Sequence, residues 1–166
     1  MRPSTSFFED MLKAHNDKRK LHGSPDLKLS GELSEKAQAW ADRVAEKGYV
    51  SFCETIGIGE NITIFPPNTK PDRIVEHWYS EHERYEYETP GWQEGTSYFT
   101  QTVWKSTTEL GIGLTNIETS KFNLPSNYQR HSMQDKMEII VAFYKPGGNN
   151  NRDGLFAVNV CKPKYN

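Results

Sequence analysis

Glu109-Leu-Gly-Ile-Gly-Leu-Thr-Asn116 and Met137-Glu-Ile-Ile-Val-Ala-Phe-Tyr144 are the two stretches on which the fold class turns. Both carry β-branched and aromatic residues and read as strands, and Phe156-Ala-Val-Asn-Val160 reads as a shorter third. Between the first two lies Glu118 to Asp135, polar and interrupted by Pro125. It is too long for a tight turn and is expected to be a mobile loop insertion over 118–135. Lys145-Pro-Gly-Gly-Asn-Asn-Asn151 marks the strand exit.

Upstream of these strands the period is helical. Ser6-Phe7-Phe8-Glu9 has the form of a capping box, and Phe8, Met11, Leu12 and His15 follow at helical spacing up to Gly23 and Pro25. A second helix is expected to open near Ser30. Its apolar stripe is Leu33, Ala37, Trp40, Ala41 and Val44, and Gly48 ends it. Thr69-Lys70-Pro71-Asp72 starts a third, with Thr69 as N-cap and Ile74, Val75, Trp78, Tyr79 and His82 on its buried side. Helices first and strands later argue an α+β class, with helices packed on an antiparallel sheet.

A chain of 166 residues fits one domain, here with its core over about 6–162. No apolar run reaches the roughly 18 residues a membrane span needs. A net charge of −2 argues against a nucleic-acid partner, and the densest basic cluster, Lys18-Arg19-Lys20, reads as a solvated helix face. The two cysteines, Cys53 and Cys161, are too few for a disulfide scaffold and are read as free thiols. No signal peptide is visible, and Arg2 stands where N-myristoylation would need glycine. The expected location is cytoplasmic or peripheral to Golgi membranes. Secretion would need a removed leader or an unconventional route.

Several motifs in order then resemble one family: Ala14-His15-Asn16, Gly59-Glu60-Asn61, His77-Trp78-Tyr79-Ser80-Glu81, Gly95 to Trp104, and Gly111-Ile112-Gly113. The set is similar to the CAP superfamily (SCP/TAPS; cysteine-rich secretory, antigen 5 and pathogenesis-related proteins). The short N-terminus and few cysteines look like its Golgi-associated pathogenesis-related and helminth venom-allergen-like branches. The resemblance implies a three-layer α-β-α sandwich around a central antiparallel sheet. It also implies a cavity lined by two His and two Glu, often holding zinc.

Carried over residue by residue, the cavity positions are Glu60, Glu81, Tyr98 and Phe52. The acids are kept, whereas a phenol and a phenyl ring replace both imidazoles. Zinc prefers nitrogen and sulfur donors, so it is not expected here, and two carboxylates leave room for a weakly held divalent cation at most. If both acids face one metal-free cavity, their repulsion should raise one pKa. His77 and Glu81 also fall at i, i+4, a ligand-compatible spacing that is more often a plain helix contact.

No nucleophile elbow occurs, and the histidines that would act as base are missing, so an enzyme is not expected. The resemblance implies a sterol or fatty acid ligand instead, at an aromatic-containing loop near the cavity. The matching segment runs from Ile56 to Pro67, with Ile62, Ile64 and Phe65 as candidate lipid contacts, unless it forms an ordinary buried strand. The alternative is a scaffolding homodimer with a vestigial cavity. Peripheral membrane association belongs to the same branch of the resemblance.

Overall fold

Local signals set the helices, though not always at the residue expected. The computed structural model describes residues 3–124 and 134–164. Helix α1 (Thr5–Leu21) is capped by Ser4, whose Oγ accepts the Phe7 amide, so Ser6 lies inside the first turn and the expected capping box is not the start. Helix α2 (Gly31–Lys47) follows the sequence closely: Ser30 Oγ accepts the Leu33 amide, and Gly48 closes the helix in the left-handed region. Helix α3 (Pro71–Tyr79) has Lys70 at its N-cap, because the Thr69 hydroxyl donates to the Pro66 carbonyl instead. A 3-10 segment (Ser80–Arg84) and helix α4 (Ser97–Val103) complete the first half.

The segment read as a third strand is a helix, α5 (Leu155–Asn159). Gly154, at a φ of 81°, turns the chain before it. The Asn159 side chain then donates to the Leu155 carbonyl and accepts the Ser106 amide. Phe156 packs edge-on against Trp104, and these tertiary contacts override the β-branched composition.

Four strands, β1 (Lys28–Leu29), β2 (Gly59–Phe65), β3 (Glu109–Glu118) and β4 (Lys136–Lys145), lie in the order β1-β3-β4-β2. β2, β4 and β3 are antiparallel, as expected; β1 runs parallel to β3 and makes the sheet mixed. Two residues carry no periodicity, so β1 was not visible beforehand.

Side chains alternate across the sheet and divide the core in two. Ile62, Ile64, Ile139, Val141 and Phe143 face α2, where Leu33, Ala37, Ala41 and Val44 meet them. Leu110, Ile112, Ile140, Ala142 and Tyr144 face the other way, toward Met11 of α1 and Ile74, Val75 and Trp78 of α3. This is the α-β-α sandwich. The α2 layer sits very close: a Cβ on Gly111 would stand 2.4 Å from the Leu33 carbonyl carbon, and one on Gly113 2.5 Å from that of Ala37. Of the 118–135 segment, a 3-10 turn (Thr119–Lys121) and a bridge between Tyr49 and Asn123 are seen; residues 125–133 lie outside the described part.

Candidate functional site

Of the four expected cavity residues only Glu60 lies on β2; Glu81 is in the 3-10 segment, Tyr98 in α4 and Phe52 in the segment after α2. Residues 60, 62 and 64 share one face, and Glu60 pairs across the sheet with Phe143 on the α2 side. Its Oε1 accepts the Cys53 amide at 2.8 Å and its Oε2 the Glu54 amide at 2.9 Å. Burial raises the Glu60 pKa, the two amides oppose that rise, and the neighbouring charge acting on it is that of Glu54.

Glu81 and Tyr98 belong to the opposite layer. Glu81 does not continue α3, which ends at Tyr79; it lies in the 3-10 segment and accepts the Phe99 amide at 3.1 Å. The i, i+4 pair with His77 is therefore not formed on one helix, and the His77 ring meets Phe65 instead. Burial raises the pKa of Glu81 as well, with backbone amides and Arg84 opposing. Tyr98 packs near Trp78 and donates from its hydroxyl to the Ile62 carbonyl at 2.9 Å. Its own pKa is raised by burial and, in lesser part, by Glu81. The structure thus joins Glu81 to Tyr98 but not to Glu60. Both carboxyls are shifted by burial, and the expected mutual repulsion is not among the causes.

Phe52 is 52% exposed on the segment after α2, next in the chain to Cys53, whose amide Glu60 accepts. This donor set does not fit a zinc ion: the carboxylates lie on two faces of a strand, each already accepting backbone amides, and the phenol is spent on a carbonyl. Among the described residues no three His, Cys, Asp or Glu groups cluster as a metal site.

Ile62, Ile64 and Phe65 are held inside β2, at 2%, 3% and 8% exposure. The expectation that they form a surface loop gives way to the alternative of a buried strand. Apolar surface is found just before them. A cleft of about 320 Å³ opens between α2 and the 49–58 segment, lined by Ala39, Trp40, Cys53, Thr55, Ile58 and Phe143, with Lys36 at its edge. Tyr49, Phe52 and Ile56, three of the five large apolar residues that are exposed among the described residues, belong to that segment. Trp40 Nε1 donates to the Ser51 carbonyl, and Lys47 reaches Ser51 Oγ while lying over the Trp40 and Tyr49 rings. A larger groove of about 730 Å³ at the other end of the sheet is bordered by Lys70, Glu118, Lys136 and Glu138, a more charged setting.

A buried polar network on the α1 side was missed by the sequence reading. His15 Nδ1 faces the Met11 carbonyl at 2.8 Å and must donate, so Nε2 accepts from the Tyr144 hydroxyl at 2.7 Å. Asn61 in turn donates to the Tyr144 oxygen and to the Tyr98 carbonyl. Burial pushes the His15 pKa down to about 4. His22 repeats the arrangement with the Cys161 carbonyl and the Tyr79 hydroxyl. Between them Arg19, expected on a solvated face, is fully buried and donates to the carbonyls of Pro25, Thr102, Trp104 and Thr107. The i, i+4, i+7 spacing of 15, 19 and 22 on a helix with an apolar face was the available signal.

With that geometry in hand, the chain matches the cysteine-rich secretory protein family, CAP, over residues 12–129, and it belongs to that family. It is 32% identical over 164 residues to Golgi-associated plant pathogenesis-related protein 1 of Homo sapiens, covering 97% of this chain and 96% of that one. It is 34% identical to a probable pathogenesis-related protein of Candida albicans, covering 87% of this chain and 62% of that one. Its fold is similar to that of venom allergen-like protein 4 of Schistosoma mansoni, with a TM-score of 0.66, 21% identity and 97% coverage of each chain.

Proposed function

We propose that this chain is a non-enzymatic CAP binding module that takes up a sterol or a fatty acid in the cleft beside α2. The observation that carries the reading is that cleft itself. It is apolar, it lies at the lower end of the volume range of ligand pockets, and the exposed Tyr49, Phe52 and Ile56 belong to the same segment as its Cys53, Thr55 and Ile58. Exposed apolar residues gathered on one segment mark an interaction site more often than residues scattered singly. The same residues suit peripheral contact with a Golgi-type membrane, in keeping with the name of the human relative. Among the described residues no helix is long and apolar enough to cross a membrane.

Titrating cholesterol and cis-parinaric acid into the wild type and into Ile58→Asp tests the reading. The charge in the cleft is expected to weaken binding at least tenfold; equal binding by both proteins refutes it. Ile64→Asp would not serve, since that side chain is core and its change would unfold the sheet.

A further inference from the structure

Among the ties that hold the 49–58 segment, two come from one residue. Glu60 receives the consecutive amides of Cys53 and Glu54, one on each carboxylate oxygen. Glu54 is meanwhile held at a φ of 57°, in the left-handed region that a side chain with a Cβ enters at a cost. Cys53 and, two residues on, Thr55 both line the apolar cleft, as does Phe143, which pairs with Glu60 across the sheet. The carboxylate therefore stands directly behind the cleft wall. It fixes the backbone turn that points Cys53 and Thr55 toward Trp40.

We infer that Glu60 is the positioning residue of the apolar cleft: its carboxylate holds the Cys53–Glu54 turn in the shape that receives the ligand, and it does so without touching the ligand. This rests on the proposed lipid site, and the two can fail separately. An ionised acceptor strengthens both bonds relative to a neutral one, and two bonds from one rigid strand leave the turn little freedom. Phe52, at the replaced imidazole position, is half-exposed, and both Glu60 carboxylate oxygens accept backbone amides.

The test uses the full chain and the variant Glu60→Gln, which keeps the shape but turns an NH₂ group toward one of the two amides. Amide exchange at Cys53 and Glu54 is expected to quicken about tenfold. Affinity for cis-parinaric acid is expected to fall about tenfold, with the urea midpoint of global unfolding little changed. Adding Glu54→Gly to Glu60→Gln relieves the left-handed strain and is expected to recover affinity several-fold. Unchanged exchange in Glu60→Gln overturns the inference. So does faster exchange with undiminished affinity, or no recovery in the double variant. If the wild type binds neither probe, the lipid reading falls and the cleft role falls with it, while the exchange measurement still reports whether Glu60 holds the turn.

Discussion

Replacing Gly113 by alanine probes the close backbone approach of α2 to the sheet. The added Cβ would lie 2.5 Å from the carbonyl carbon and oxygen of Ala37 and from the Gln38 amide nitrogen. All three are backbone atoms, so no side chain can swing aside, and α2 must retreat by about 1 Å to restore ordinary contact. It is not free to do so. Ser34 Oγ accepts the Ile112 amide, and the Gln38 side chain both accepts the Leu114 amide and donates to the Leu114 carbonyl. Overpacking of this kind costs about 3 kcal/mol, and the stiffer unfolded chain returns under about 1 kcal/mol. The net loss of about 2 kcal/mol lowers Tm by roughly 4–8 °C at this chain length. Calorimetry and urea unfolding with an unchanged m-value would read it. Gly31→Ala is the control, because nothing lies within 4 Å of its Cβ and it opens α2. A Gly113→Ala protein that melts within about 1 °C of the wild type would refute the reasoning, since the helix would then have shifted at no cost.

Acid should weaken the fold through the buried histidines. The folded pKa of His15, about 4, lies below its ordinary 6.5, so the unfolded chain takes up the proton first. Stability is then full above about pH 6.5 and falls as pH drops through 6 and 5 toward 4, by about 3 kcal/mol, with His22 shifted in the same direction. Urea midpoints that stay flat from pH 7 to about pH 4 would contradict this. Tyr144→Phe removes the hydroxyl that serves both His15 and Asn61, and a loss of about 1–3 kcal/mol is expected in the same assay. Arg19→Met removes the guanidinium that donates to the carbonyls of Thr102, Trp104 and Thr107, and a loss of about 3 kcal/mol or more is expected by urea unfolding. Tyr98→His restores one imidazole but is not expected to yield stoichiometric zinc on elemental analysis, because Glu60 lies on the far face of β2.

What the sequence disclosed follows what is local. α2 was readable from end to end because its cap, its stripe and its closing glycine are all written within its own residues. The strands β3 and β4 were equally plain, since both run long enough to show their composition. β2 stayed open between loop and strand. Its burial on both faces depends on β4, α2 and Trp78, none of which is near in the chain. α5 was misjudged for the same reason, its helix resting on Trp104 and Ser106. At the site, the sequence marks Glu60, Glu81, Tyr98 and Phe52 as candidates but does not say which of them meet. A strand with period two sends neighbours to opposite faces, and only the sheet register shows which face each one meets. Arg19 makes the point for charge: beside two lysines it looks solvated, yet three of its four carbonyl partners lie more than eighty residues away, which no run of letters marks.

The division made by β2 has a consequence for how this protein tolerates change. Glu60 answers to Cys53 and Glu54, while Glu81 answers to Phe99 and Arg84, and the two share no partner. In a metal centre, two ligands of one ion would be strongly coupled, and losing the first would make the second nearly dispensable. Here the free-energy costs of Glu60→Gln and Glu81→Gln should simply add, within about 0.5 kcal/mol in a double-mutant cycle. Each carboxylate is then under its own constraint, and either can be exchanged without any effect on the need for the other.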